Sequence, residues 1–407
     1  MEVFSSLIYL ILVFIIILIL LRLKVSLGVS LTVAGGILGL IFKVEINKLF
    51  ILVFKTLISN DTLELMLILY LIPLLEIIMR KSGVFDRMID AIGFFIKDVR
   101  KAAIFFPVFL GTLPSAGGAR FSAPLVGAVS KDLNINNVKK SFVNYWFRHI
   151  WEPVFPLYPG IILASFLSGV PLGDISKFQI WYPLFMLMAG WFVIFRNVPK
   201  VIEDKRENKP FKNNLISLLE GVFPILFLII SVMFFKLRLI ISLIVIILCL
   251  FFIYKFSLKD VLNFLKESFS LQIMFLIFGV MYFKNILEVS KAIIDLKNFF
   301  TIMKLNTLVI LFFMPFLVGL LTGVVQAFVG ITFPLILPLI TNGGVVDLHY
   351  LSFAFISGYT GVMLSPIHLC YLFTCEYFGV EITDVYPYLI LLSLFLPLLG
   401  LLLIFFS

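Results

Sequence analysis

The sequence predicts an all-α membrane protein of about ten transmembrane helices, built as two inverted repeats that each contain a re-entrant hairpin and a broken helix. Three observations predict it. Of 407 residues 62% are hydrophobic and 14% charged, a mixture too apolar for a soluble core to absorb. Apolar runs long enough to cross a hydrocarbon layer of about 30 Å, which takes about 20 helical residues, recur along the chain. The order of segments before residue 196 also returns after residue 214, with prolines and glycines in matching places.

The net charge of +9 leaves this class unchanged, because the basic residues fall in loops where membrane orientation explains them and no nucleic acid is expected as a partner. Cys249, Cys370 and Cys375 lie in apolar stretches without metal-ligand spacing. Neither a disulfide nor a metal site is expected from them.

Residues 3–21 and 25–42 read as two spans joined by a tight basic turn. The first is long for a signal-peptide core and is followed by Arg22 and Lys24 instead of a small-residue cleavage site, so it reads as a retained helix. Residues 44–62 carry Lys48, Lys55 and Asp61 among apolar residues and suit an interfacial helix. Residues 63–79 span, and 84–99 form a second amphipathic arm. The hairpin, 102–130, sets two flanks too short to span around the tip GTLPSAGGARFSAP at 111–124. Lipid offers backbone groups no partner, so such a tip survives only inside protein or against a wet cavity. The adjacent Gly117 and Gly118 leave amides uncovered, and half-helix N-termini beside them would face an anion with partial positive charge. Residues 141–167 cross next, interrupted by Pro153, Pro156, Pro159 and Gly160, hence a broken helix. A span at 180–195 completes the first repeat, 1–196.

Residues 197–214, RNVPKVIEDKRENKPFKNN from Arg196 onward, form a polar linker expected in the cytoplasm. The second repeat, 215–407, then offers spans at 218–235 and 239–254, an interfacial helix at 257–270 and a span at 271–287. An arm at 290–304, a hairpin at 308–340, a broken helix at 350–378 and a last helix at 387–406 complete it. Pro107 precedes Gly111 as Pro315 precedes Gly319, and Pro156 to Val170 aligns without a gap onto Pro366 to Val380. Five crossings and one returning hairpin per half invert the second copy relative to the first. Basic residues of the first half gather at 22–24, 80–101, 131–140 and the linker, which makes that side cytoplasmic and puts both termini outside an inner (cytoplasmic) membrane. The second half does not share this bias: Lys236, Arg238, Lys284, Lys291, Lys297 and Lys304 would lie outside.

LPSAGGARFSAPLV, NYWFRHIWEPVFPLYPGIILA and SGYTGVMLSPIHLCYLFTCEYFG together resemble an integral-membrane family of unknown function within the ion-transporter superfamily. That superfamily includes gluconate, dicarboxylate, citrate and arsenite carriers and the large membrane subunit of tripartite carboxylate transporters. The resemblance implies a homodimer of scaffold helices carrying two transport units that move as elevators. It also implies that hairpin tips and helix breaks meet near the midplane, at 112–120, 150–159, 320–332 and 358–368 here. The Ser-Asn-Thr signatures of sodium-coupled dicarboxylate members are absent: Ser115-Ala116-Gly117 stands at the first tip and Thr322-Gly323 at the second.

From these stretches come the candidate substrate-binding residues: Ser115, Ala116, Gly117, Gly118, Arg120 and Ser122 at the first tip, Thr322, Gly323 and Gln326 at the second, and Thr360, Gly361, Ser365 and His368 at the second break. Arg120 reads either as the counter-ion of an anionic solute or as the structural partner of a carboxylate such as Glu152. Candidate ion-coupling residues are His149, Glu152 and Thr332. On a helix Arg148 and Glu152 stand at i,i+4 and His149 and Glu152 at i,i+3, so the group would either exchange a proton or pin the break as an ion pair. His368, without an obvious local partner, reads as a substrate contact or a packing histidine.

No GxxxxGK[ST], HExxH or GxSxG occurs, so neither ATP hydrolysis nor hydrolase chemistry is expected, and no cofactor. The function expected is secondary transport of a small anionic solute, coupled to H+ or Na+ with the tilt toward H+. A passive channel, or an intramembrane hydrolase using Ser115, stands as the alternative.

Overall fold

The computed structural model describes residues 2–112, 114, 118–202, 211–290, 292–303 and 305–406. Helices follow one another in the expected order. The first half contains α1 (Glu2–Arg22), α2 (Leu27–Ile41), α3 (Ile46–Ile58), α4 (Asn60–Lys81), α5 (Val84–Phe95), α6 (Val99–Leu110), α7 (Ala119–Val129), α8 (Asn137–Arg148), α9 (Pro159–Ser168), α10 (Leu172–Phe178) and α11 (Trp181–Phe195). The second contains α12 (Phe211–Met233), α13 (Leu239–Tyr254), α14 (Leu258–Glu267), α15 (Leu271–Val289), α16 (Ala292–Ile302), α17 (Thr307–Thr322), α18 (Val325–Ile336), α19 (Leu348–Met363), α20 (Leu369–Phe378) and α21 (Ile382–Phe405). A two-residue ribbon, β1 (Thr341–Asn342) with β2 (Val345–Val346), lies between α18 and α19.

Among the described residues, six stretches are long and apolar enough to cross a membrane: Ser5–Arg22, Asn60–Lys81, Leu172–Phe195, Phe211–Met233, Leu271–Val289 and Ile382–Phe405. The chain is thus an all-α, multi-pass membrane protein. Their outer faces carry exposed Ile11, Phe223, Phe275 and Phe405, side chains that only lipid or another apolar surface would solvate well.

Packing between the two halves is reciprocal. Helix α2 lies on α15 and α13 on α4; α1 lies on α16 and α12 on α5; α18 lies on α9 and α7 on α20. Close approach is built in by small residues. A Cβ added to Gly28 of α2 would lie 2.2 Å from the Phe275 carbonyl oxygen of α15, and one on Gly279 would lie 2.2 Å from the Gly28 carbonyl. Backbone turns repeat as well. Among the described residues, Lys24, Lys43, Lys236 and Lys255 are the non-glycine positions with positive φ, between 50° and 62°. Lys24 and Lys236 join the first two helices of each half, and Lys43 and Lys255 follow the second, with equal spacing within the two pairs.

Helices α6 and α7 pack on each other as one pair of arms, with Gly111 after the first arm; α17 and α18 form the other pair, with Gly323 at φ 64° after its first arm. Between α8 and α9 the chain makes irregular turns over residues 149–158, and between α19 and α20 over 364–368. Pro159 opens α9 at a position where the missing N–H costs nothing. Of the linker, residues 197–202 are described and are tied down: the Arg100 guanidinium donates to the Val198 carbonyl at 2.9 Å, and the Val99 N–H donates to Val201 at 3.0 Å.

Candidate functional site

Each break is clamped to the first arm of its own hairpin by a side chain two residues after the break's proline. Tyr158, two past Pro156, donates its hydroxyl to the Gly111 carbonyl at 2.5 Å; His368, two past Pro366, reaches the Gly323 carbonyl through Nδ1 at 2.7 Å. Both carbonyls belong to the glycine that ends the arm. The arms also press against the helices leading into the breaks. A Cβ on Gly111 would lie 2.2 Å from the Arg148 carbonyl oxygen, and one on Gly319 would lie 2.2 Å from that of Gly358. Trp151 donates to the Val108 carbonyl at 2.9 Å in the first half, while in the second a Cβ on Gly361 would meet the Phe316 carbonyl at 2.1 Å.

The two breaks then meet each other. Tyr359 of α19 donates to the His149 carbonyl at 2.6 Å, Tyr145 of α8 donates to the Met363 carbonyl at 3.1 Å, and Asn144 donates to the Thr374 hydroxyl at 2.8 Å. At the centre, His149 Nε2 stands 3.1 Å from His368 Nε2, with both imidazoles buried. The Cys370 thiol completes the group, its sulfur and the two histidines offering ligand atoms all within 4.8 Å of one another. Glu152 Oε1 lies 3.9 Å from His149 Nε2, while Glu152 Oε2, Ser365 Oγ and Asn144 Oδ1 are buried without a hydrogen-bond partner. Helix N-termini border the same region. The first residues of α9 and α18 abut, since a Cβ on Gly160 would strike Val325 at 2.1 Å; His368 is the N-cap of α20; and no side-chain cap closes α7, α9, α18 or α20.

The candidate residues distribute as follows. Ser115, Ala116 and Gly117 lie outside the described residues. Gly118 is buried at the start of α7, but Arg120 points to an exposed face, its guanidinium 3.8 Å above the centre of the Phe373 ring, where neither Glu152 nor the break holds it. Arg148 is the cation that enters the break, buried and donating to the Leu110 carbonyl at 2.9 Å. Because α8 ends at Arg148, Glu152 falls in the turn that follows, with Oε1 3.9 Å from His149 Nε2.

Gln326 is half-buried in the first turn of α18, and Gly361 is buried against α17. Most hydroxyls spend their single hydrogen on their own helix. Thr322 donates to Val318, Thr332 to Phe328 and Thr360 to Ile356, at 2.7–2.8 Å, and Ser122 more weakly to Ala119 at 3.4 Å. What they can still offer is lone pairs, suited to a cation or an N–H group; an anion must be held by backbone N–H groups and by Arg148. A separate cavity of about 210 Å³, walled by Glu64, Phe166, Asp174, Lys236 and Arg238, lies away from the breaks, and its Arg238 pairs with Glu64.

Tyr145, Tyr158, Tyr359 and Cys370 were not among the residues the sequence pointed to. The repeat alignment carried a signal for one of them, because it sets Tyr158 against His368. A family model described as "Protein of unknown function (DUF401)" matches residues 3–405. No curated protein matches the chain.

Proposed function

The chain belongs to this family of unknown function, and from its site we propose that it is a secondary transporter of a small anionic solute, working by alternating access. The observation that carries this reading is the meeting of two interrupted helices and the second hairpin's glycine turn in one buried polar cluster. Irregular backbone at membrane depth is tolerated where it lines a site, and half-helix N-termini with a buried guanidinium favour negative charge there.

Ten crossings as two inverted copies belong to the same reading: α1, α2, α4, α8 with α9, and α11, then α12, α13, α15, α19 with α20, and α21. The reciprocal helix packing, the paired Lys turns and the matching arm contacts at Gly111 and Gly319 support it. The resemblance to ion-transporter carriers adds the homodimer, elevator movement of the hairpin-and-break unit, and coupling to a gradient of H+ or Na+. Moving one net charge through 100 mV supplies about 2.3 kcal/mol, enough for a gradient of about fiftyfold without ATP.

The test is binding by the purified chain. Succinate, citrate, gluconate and phosphate are screened for thermal stabilisation, since a ligand at 100 times its Kd contributes about 2.7 kcal/mol. At least one anion is expected to raise Tm with saturation, and to do so weakly in Arg148→Gln. No shift with any anion, together with single-channel currents in planar bilayers, would replace the carrier by a channel.

A further inference from the structure

We infer that His149, His368 and Cys370 form a binding site for a borderline-soft divalent metal ion, Zn2+ by class, with Glu152 as the fourth ligand. A carbonyl oxygen only accepts, so the contacts of His149 Nδ1 to Tyr145 O at 2.6 Å and of His368 Nδ1 to Gly323 O at 2.7 Å put a hydrogen on both Nδ1 atoms. Each neutral ring then turns a bare Nε2 lone pair toward the other across 3.1 Å, in a buried setting. Two lone pairs so placed repel unless a cation lies between them.

A proton shared by the two nitrogens, with the Cys370 thiol hydrogen-bonded to the rings, would still leave the Glu152 carboxylate oxygen Oε2 buried without a partner. A metal uses all four. Two imidazole nitrogens on one tetrahedral Zn2+, each at about 2.0–2.1 Å, stand about 3.3 Å apart, close to the spacing found. The thiol sulfur lies within 4.8 Å of a ligand nitrogen of each ring, and Glu152 brings Oε1 to 3.9 Å from His149 Nε2 with its Oε2 buried and without a hydrogen-bond partner. The supporting contacts are also those of a metal centre, where a ligating histidine gives its other N–H to a backbone carbonyl and is thereby fixed in tautomer and direction. An N2SO donor set with a neutral or thiolate sulfur suits Zn2+ over Mg2+ or Ca2+, which prefer oxygen. The ligands come from both breaks, so the ion would join the two halves of the chain at their point of contact.

The experiment uses the purified full-length chain in detergent with Co2+ as the spectroscopic probe. Expected are tetrahedral d–d absorption with a thiolate-to-cobalt charge-transfer band, both displaced by one equivalent of Zn2+, and a rise in Tm with Zn2+ that Mg2+ does not give. Cys370→Ser should abolish the charge-transfer band. His149→Gln and His368→Gln should weaken binding on the order of tenfold or more. Cys370→Ser keeps the assay informative if the histidine variants fail to fold, because the thiol anchors no backbone turn. An unchanged Co2+ spectrum in Cys370→Ser would overturn the site. So would a wild-type chain that gives no Co2+ spectrum, the result expected if the nitrogens share only a proton. The anion-induced rise in Tm is read separately: its survival in Cys370→Ser with the metal spectrum lost distinguishes the two proposals.

Discussion

Single atoms decide how closely the hairpin arms approach the breaks, and glycine is where the sequence makes room. A methyl group on Gly111 or Gly319 would have to displace a carbonyl oxygen 2.2 Å away, and in both cases the obstacle is rigid backbone. Gly111→Ala and Gly319→Ala should each lower stability by about 1–3 kcal/mol, the usual cost of overpacking. Gly36→Ala, with nothing within 4 Å of its added Cβ, should leave Tm unchanged or raise it. Equal thermal stability in all three variants would show that the arms are not packed as described. At this scale the sequence was only partly legible. It marked His149, Glu152 and His368, because a titratable group in an apolar segment stands out by composition. It could not pair His149 with His368, since that contact depends on two breaks distant in sequence folding against each other. The surroundings of Arg120 were hidden for a related reason: its place beside a glycine tip is a one-dimensional fact, whereas its guanidinium lies over the Phe373 ring of a helix distant in sequence.

Elements were more legible than contacts. Short amphipathic and apolar runs bounded by Pro, Gly and Asn marked where α6, α7, α17 and α18 begin or end and where the chain turns at 149–158 and 364–368, because those boundaries are local. What residue patterns did not foretell is how the arm α6 is anchored. Asp98 caps it through the Arg100 N–H at 3.0 Å and holds the Arg100 side chain at 2.9 and 3.1 Å, while that guanidinium reaches across to Val198. The hydrogen bonds and charge of Arg100 keep the Asp98 carboxyl below its ordinary range in spite of burial. A carboxylate depressed on folding stabilises the fold above its unfolded pKa of about 3.9 and loses that contribution as pH falls through the lower folded value. Asp98→Asn keeps a competent cap but removes the charge pair, so at pH 7 it should cost about 1 kcal/mol. The difference in Tm between wild type and Asp98→Asn should narrow as pH falls below about 4. A difference constant from pH 7 to pH 3 would assign the effect to hydrogen bonding alone.

Over the whole molecule, the two halves exchange contacts instead of folding side by side: α2 packs on α15 and α13 on α4, just as α7 packs on α20 and α18 on α9. Reciprocal packing of this kind is what a two-fold axis between copies produces, and on the proposed count of five crossings in each half that axis lies in the membrane plane. The corresponding turns at Lys24 and Lys236, both exposed and both left-handed, must then face opposite sides. Charge opposes this for the second turn, because Lys236 and Arg238 would sit outside, against the usual preference for basic residues within. The geometry should prevail, since early helices generally fix orientation and later ones are carried by packing against them. In chains with the native cysteines replaced by serine, K236C should react with a membrane-impermeant maleimide on intact cells, and K24C only after the membrane is opened. Labelling of both from the same side would put the two copies in parallel, and the inverted arrangement, with the alternating access built on it, would fall.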